Sequence, residues 1–196
     1  MFDILFIHIQ EKVSLTDLDK ERIKTFFIPK KLKKRRFLLQ EGDDCKNMAF
    51  VAQGLLRLYN VDDNGGEHMS AFGWEGWWLS DINSFLSGVP AVFNIDAIED
   101  SELLMISREN YEALTLAVPV MDRYFRIVYQ NNIATKDRRL MSTITHSAEE
   151  RYLQLAESNP RIIERISQNM VASYLGLAPE TISRIKKNIA AQSKNP

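Results

Sequence analysis

Cysteine is almost missing: Cys45 is the only one in 196 residues. That excludes a disulfide within the chain and a scaffold held together by cross-links. It equally excludes a cluster ligated by four thiolates of one chain. A reducing cytoplasm is the expected setting. Long hydrophobic runs are also missing. The opening MFDILFIHIQEK is far shorter than the roughly 20 apolar residues needed to cross a bilayer, and it lacks the basic leader and small-residue cleavage site of a secretory signal. No membrane partner is expected. Excess charge is absent too, at net −1, so the chain as a whole is not a generic polyanion binder. Histidine is scarce: His8, His68 and His146 are scattered and lack the converging spacing of a metal-dependent jelly-roll enzyme. There is no Ser-His-Asp order, P-loop or GxGxxG. A protein without catalytic activity, resident metal or cofactor is the expectation. Haem ligation through His68, His146 or Cys45 has only lone residues behind it, and such residues usually serve packing or the surface.

What is present is ordinary globular composition, 45% apolar and 26% charged, enough for one large or two small domains. Residues 1–12 read as a short strand or helix. Thr16 to Phe27 reads as an amphipathic helix with Leu18, Ile23, Phe26 and Phe27 on its apolar face, limited by Pro29. In KKLKKRR, Lys30 to Arg36, six of seven residues are basic. It is a solvated loop and strand start or, less favoured, a nucleic-acid patch. From Phe37 to Ser107 short β-type runs alternate with turns: Phe37–Leu39, Met48–Ala52, Leu55–Val61, His68–Phe72, Asn94–Ile98 and Leu103–Ile106. Asp62-Asp63-Asn64-Gly65-Gly66 predicts a hairpin with a type I′ turn. The spacing suggests a small antiparallel barrel or jelly roll.

After Ser107 the texture is helical. Arg108 to Ala117 is a short helix, and Pro119 opens a long one to about Thr145. Met121, Phe125, Val128, Ile133, Leu140, Met141 and Ile144 give it a broken apolar stripe around Asn131-Asn132. That stripe suits a homodimeric coiled coil, where Asn can fix register, or packing onto the chain's own barrel. Ser147-Ala148-Glu149-Glu150 is a capping box that starts a helix through Glu157.

Gln168 to Lys187, QNMVASYLGLAPETISRIKK, reads as a helix-turn-helix. Ser167 is a plausible N-cap. Val171 and Leu175 face inward, and small Ala172 allows a close helix crossing. Gly176 ends the first helix, since only Gly adopts positive φ cheaply there. Pro179 suits the first turn of the next helix. Ile182 and Ile185 point back, which leaves Glu180, Thr181, Ser183, Arg184 and Lys187 largely outward. Arg can bond guanine bidentately and Glu can accept from cytosine N4. From Met170 onward four cations, Arg184, Lys186, Lys187 and Lys194, face one acid, Glu180, a local excess suited to phosphate. An ordinary αα-corner would share the spacing.

In this order the pieces resemble the Crp/Fnr family of bacterial transcription regulators. FLLQEGD (Phe37 to Asp43) looks like the family's early β-roll signature, and FVAQGLLRLY (Phe50 to Tyr59) like the strand pair that follows. EDSELLMIS (Glu99 to Ser107) looks like the last roll strand, the helix from Pro119 like the dimerisation helix, and GLAPETISRIKK (Gly176 to Lys187) like the recognition helix. The resemblance implies an α+β chain in three parts. Residues 1–118 form a cyclic-nucleotide-binding-like sensor β-roll of jelly-roll type, 119–146 the dimerisation helix, and 147–196 the helix-turn-helix domain. It implies that Glu180, Ser183 and Arg184 read base edges, with Thr181, Lys186 and Lys187 as phosphate contacts. The implied partners are a second copy of the chain, near-palindromic double-stranded DNA, RNA polymerase if the output is activation, and an unidentified small-molecule effector.

Two departures stand out. Members that bind cyclic AMP carry a Gly-Glu pair and a later Arg-Ser or Arg-Thr pair; here Ser80-Asp81 and Pro90-Ala91-Val92 stand at those places, with no Arg or Lys between Gly73 and Glu102. Tight binding of cyclic AMP is not expected. The family's β-hairpin wing has no room before Pro196, so a domain lacking a full wing is expected. Phe72, Trp74, Trp77, Trp78 and Phe85 cluster where the family's ligand cassette lies. They form barrel core or line an effector pocket that would include Trp78, Ser80, Asp81 and Asn83; for Ser80 and Asp81 helix capping is the competing role. The iron-sulfur mode of the family needs several cysteines and is excluded within one chain. The alternative function is a small-molecule-binding regulatory module that has lost specific DNA binding.

Overall fold

The computed structural model describes residues 1–192. They form two compact units, one of Met1–Gly66 with Ser70–Asn131, the other of Glu67–Met69 with the chain from Asn132 onward. The elements run α1 (Phe2–Gln10), α2 (Asp17–Lys24), β1 (Ile28–Leu32), β2 (Phe37–Leu39), β3 (Asn47–Gln53), β4 (Leu56–Val61), β5 (Glu67–Gly73), β6 (Trp78–Leu79), α3 (Ile82–Ser87), β7 (Asn94–Ala97) and β8 (Ser101–Ser107). Then come α4 (Arg108–Ala117), α5 (Val120–Thr145), α6 (Ala148–Ser158), α7 (Pro160–Arg165), α8 (Gln168–Leu175) and α9 (Pro179–Gln192).

The first unit is a β-roll of two four-stranded sheets, ordered β1-β8-β3-β6 and β2-β7-β4-β5. Strands β3 and β8 pair antiparallel at the centre of the first sheet. Met48 to Ala52 and Leu103 to Ile106 are continuously buried, which explains their unbroken apolar texture: a strand covered on both faces loses the alternation of a half-exposed one. Pro29 is tolerated because β1 lies at the sheet edge. The basic run continues β1 into a turn. There Lys31 pairs with Glu102 at 3.1 Å and Lys33 with Asp100 at 2.7 Å, while the Lys34 backbone N–H donates to Asp100 Oδ1 at 2.8 Å. Lys33 to Arg36 are all exposed, as a solvated strand end should be. Gly54 joins β3 to β4 at φ +99°; a Cβ there would lie 2.7 Å from Ser101 Cα and 2.8 Å from the Asp100 carbonyl, so no other residue fits without backbone movement.

The hairpin after β4 forms, but not with the expected turn. A type I′ turn needs positive φ at both Asn64 and Gly65, and only Gly65 has it, at 81°. The Gly65 N–H closes a turn on the Asp62 carbonyl at 2.9 Å, and the Asp62 N–H donates to the Gly66 carbonyl at 3.0 Å. This is a type I turn followed by a left-handed glycine. Asp62 is the cause: its Oδ1 accepts from the Asn64 and Gly66 N–H groups, both at 2.9 Å, and holds Asn64 out of the left-handed region.

The opening residues form a helix rather than a strand. Leu5 and Ile9 of α1 are fully buried, and His8 meets the start of α5. The Trp78 indole N–H donates to the Tyr124 hydroxyl at 2.7 Å, and that hydroxyl lies 2.6 Å from His8 Nδ1. Indole N–H can only donate, and a neutral imidazole with an unprotonated Nδ1 is the form that accepts the tyrosine's own proton. Burial, aided by Lys12 and opposed by Glu11, lowers the His8 pKa from 6.5 to about 4. The unfolded chain therefore takes up the proton first, and stability falls as pH drops from about 6.5 to about 4. In melts across that range, His8→Phe is expected to flatten the decline. Equal slopes for the two proteins would show that His8 titrates as it does in water.

The stripe on α5 serves two ends. Met121, Tyr124 and Phe125 are buried in the roll unit, which is packing onto the chain's own barrel. Farther along, Ile133, Leu140, Met141 and Ile144 are 55–71% exposed. In the second unit α6 begins at the expected Ser147–Glu150 capping box, and a further short helix, α7, starts with Pro160 in its first turn. The expectation about a wing concerns sequence after Gln192, which lies outside the described residues.

Candidate nucleic-acid interface

Helices α8 and α9 are set by a few residues. The Ser167 hydroxyl accepts from the Met170 N–H at 3.3 Å and caps α8. At the other end Gly176 has φ +64°. The Leu177 N–H reaches back to the Ala172 carbonyl at 2.9 Å and the Gly176 N–H to Ser173 at 3.1 Å, a Schellman closure. Val171, Ala172, Ile182 and Ile185 are 0–5% exposed and form the seam between the helices, as their spacing predicts.

Two arginines hold this turn from outside the motif, and nothing in the sequence marked them. Arg139 Nη2 donates to the Tyr174 carbonyl at 2.8 Å, with its guanidinium 4.0 Å above the Tyr174 ring. Arg151 Nη1 donates to the Leu175 carbonyl at 2.9 Å. Cations on the last carbonyls of a helix complement its negative end.

With Ile182 and Ile185 committed inward, all six sequence-derived contact residues lie on α9. Glu180, Arg184, Lys186 and Lys187 are exposed; Thr181 and Ser183 are half-buried. Among the described residues neither Glu180 nor Arg184 makes an ion pair, although they stand one helical turn apart. Ser183 is engaged: Gln168 of α8 donates from Nε2 to its hydroxyl at 2.6 Å and to the Pro179 carbonyl at 2.9 Å. Sequence reading gave Gln168 no role, because only the crossing of the two helices brings positions 15 apart together. This face carries convergent donors, one carboxylate and a positive margin, a set able to read base edges and hold phosphate.

Among the described residues the four expected around an effector share no hydrogen-bond partner. Trp78 is 8% exposed and packs against Phe27, Phe50 and Phe125 in addition to its bond to Tyr124. Asp81 is 3% exposed and caps α3. Its Oδ1 accepts from the Ser84 N–H at 3.2 Å and its Oδ2 from the Val92 N–H at 2.9 Å. Ser80 is half-buried and Asn83 exposed. Trp78 and Asp81 thus take the core and capping roles that competed with ligand contact. The Trp74 and Trp77 rings pack at a tilt of 44° with centroids 4.1 Å apart. A cation reaches this region from beyond the window without Arg or Lys: Arg108 donates to the Ser84 and Phe85 carbonyls of α3 and reaches Asp44 at 2.9 Å. No helix among the described residues is long and apolar enough to cross a membrane, and no group of three His, Cys, Asp or Glu residues there could hold a metal ion.

Comparison with known proteins agrees with this architecture. Residues 29–117 match the cyclic nucleotide-binding domain family. The chain is 27% identical over 168 residues to the transcriptional activator protein Anr of Pseudomonas protegens, covering 79% of this chain and 67% of that one. It is 26% identical over 194 residues to the transcriptional activator protein FnrA of Stutzerimonas stutzeri, covering 92% and 75%. The solved structure of FixK2 from Bradyrhizobium japonicum superposes with a TM-score of 0.72 over 85% of this chain and 86% of that one, at 20% identity, which establishes likeness of fold. In its β-roll, long helix and helix-turn-helix, taken in this order, the chain is similar to transcription regulators of the Crp/Fnr type.

Proposed function

We propose that the chain works as a cytoplasmic homodimer that binds near-palindromic double-stranded DNA through two copies of α9. Residues 1–118 act as the sensor, 119–146 as the dimer helix and 147–196 as the DNA-binding domain. Glu180, Ser183 and Arg184 read bases, and Thr181, Lys186 and Lys187 contact phosphate. The observation that carries this reading is the face of α9, where Glu180 and Arg184 are exposed and unpaired among the described residues above a sealed Ile182–Ile185 seam. The exposed Ile133, Leu140 and Ile144 on α5 support dimerisation, because such a row on one helix suits burial against its own copy. An effector acts by differential affinity for two arrangements of the paired recognition helices. Polymerase contact applies if the output is activation. Selection from a random DNA library at near-physiological salt tests the reading. An enriched near-palindrome is expected; a folded protein that enriches nothing, with or without extracts of small molecules, overturns it.

Cyclic AMP is not the effector in this reading. Pro90-Ala91-Val92 stands where cyclic-AMP-binding members carry their Arg pair, and Ala91, 3% exposed, offers a phosphate no cation. A buried phosphate without a cationic partner is strongly disfavoured. Calorimetric titration is expected to give no binding in the micromolar range, and a micromolar or tighter constant would contradict this.

A further inference from the structure

The contact between Gln168 and Ser183 bears on which base Ser183 accepts. The Pro179 carbonyl can only accept, so the group of Gln168 that faces it is the amide NH2, which settles the orientation of that side chain. The second hydrogen of the same nitrogen points to Ser183 Oγ at 2.6 Å. Ser183 Oγ is thereby an acceptor inside the protein. The usual intrahelical outlet for a serine proton, the carbonyl four residues back, is the Pro179 carbonyl, and it already receives Gln168. Among the described residues no other acceptor takes the Ser183 proton.

We infer that Gln168 is a positioning residue that biases Ser183 toward donating its hydrogen bond to DNA and so disfavours cytosine at that position. The inference rests on α9 being the recognition helix. In the major groove thymine offers O4, guanine O6 and N7, and adenine N7, whereas cytosine offers only its N4 amino donor. A serine hydroxyl is ordinarily indifferent, since it can donate or accept. One whose oxygen already accepts from behind keeps a single lone pair and is the weaker partner for cytosine, which offers only a donor.

The test is selection and sequencing of bound DNA with the parent, Ser183→Ala, Gln168→Met and Gln168→Glu, each first shown to melt as a folded protein. Ser183→Ala identifies the base column that Ser183 reads. In that column the parent is expected to disfavour cytosine by roughly 3- to 10-fold, the scale of one neutral hydrogen bond. Gln168→Met keeps the length of the side chain but removes the donor, and is expected to bring cytosine to parity there while other columns stay as they were. Gln168→Glu offers the serine proton an acceptor and is expected to favour cytosine. In the Ser183→Ala background, changes at Gln168 should leave that column unchanged. Unaltered cytosine exclusion in both Gln168 variants overturns the inference, as does weakening spread evenly over all columns. A parent protein that selects no site overturns the reading beneath it instead, and the two failures are therefore distinct.

Discussion

Asp96→Ala is expected to destabilise the roll unit by about 3 kcal/mol, toward the lower end of what removing one partner of a buried ion pair costs. Asp96 and Arg57 are register partners on β7 and β4, and their side chains are 9% and 13% exposed. Arg57 donates from Nε to Oδ1 and from Nη2 to Oδ2, both at 2.8 Å. The Tyr59 hydroxyl adds a bond to Oδ2 at 3.1 Å, and the guanidinium lies 4.1 Å over the Tyr59 ring. Two parallel bonds between planar groups fix geometry as well as energy. Removing the carboxylate leaves a desolvated cation without the acceptor that matched it, and the cost is that burial rather than the modest net worth of the pair. The double variant Arg57→Met with Asp96→Ala is therefore expected to recover most of the loss, because an apolar side chain of similar length needs no counter-charge. Denaturant unfolding of the three proteins measures this. A loss below about 1 kcal/mol for Asp96→Ala would place the pair with solvent-screened surface bridges.

How much of this was legible in the sequence depended on whether a residue's partner was near it along the chain. The seam between α8 and α9 was readable because Val171, Ala172, Gly176, Ile182 and Ile185 are tied by helical periodicity and one turn glycine. The Ser147–Glu150 box was readable for the same reason. Most strands were readable because β-branched and aromatic runs ended at glycines. By contrast β6 has two residues and no period to detect, and its place is set by pairing Trp78 with Phe50. The turn after Val61 was misjudged because Asn-Gly is a strong signal, yet a carboxylate two residues earlier outbid it for the same N–H groups. The stripe of α5 was seen as one surface, and the structure divides it: the half near Phe125 is consumed by the roll unit, and the half from Ile133 stays exposed. Arg139, Arg151 and Gln168 act on groups 35, 24 and 15 residues away, distances at which no local pattern carries information. The site followed the same rule. Its outward residues could be named, whereas the side chains that orient them could not.

Arg184→Ala is expected to weaken binding to the selected DNA site by about 1–3 kcal/mol, roughly 5- to 150-fold, and to relax preference at one base position. Arg184 has an acid within reach on its own helix. Glu180 lies four residues before it on α9, a spacing at which opposite charges ordinarily pair, yet both side chains are exposed and make no ion pair among the described residues. A guanidinium left unengaged on the solvent face contributes little to folding, so its removal should leave the melting temperature within a degree or two. Its fork of donors matches guanine O6 and N7, and that match is lost completely on truncation. Lys187→Ala is the contrast. A phosphate contact weakens all sequences alike and lowers the salt slope by about one. If Arg184→Ala behaved like Lys187→Ala, with equal loss on every sequence, Arg184 would be a positioning contact and base reading would fall to Glu180 and Ser183. Column-specific relaxation with unchanged stability separates the two, because only a side chain that touches a base edge can alter one position and spare the rest.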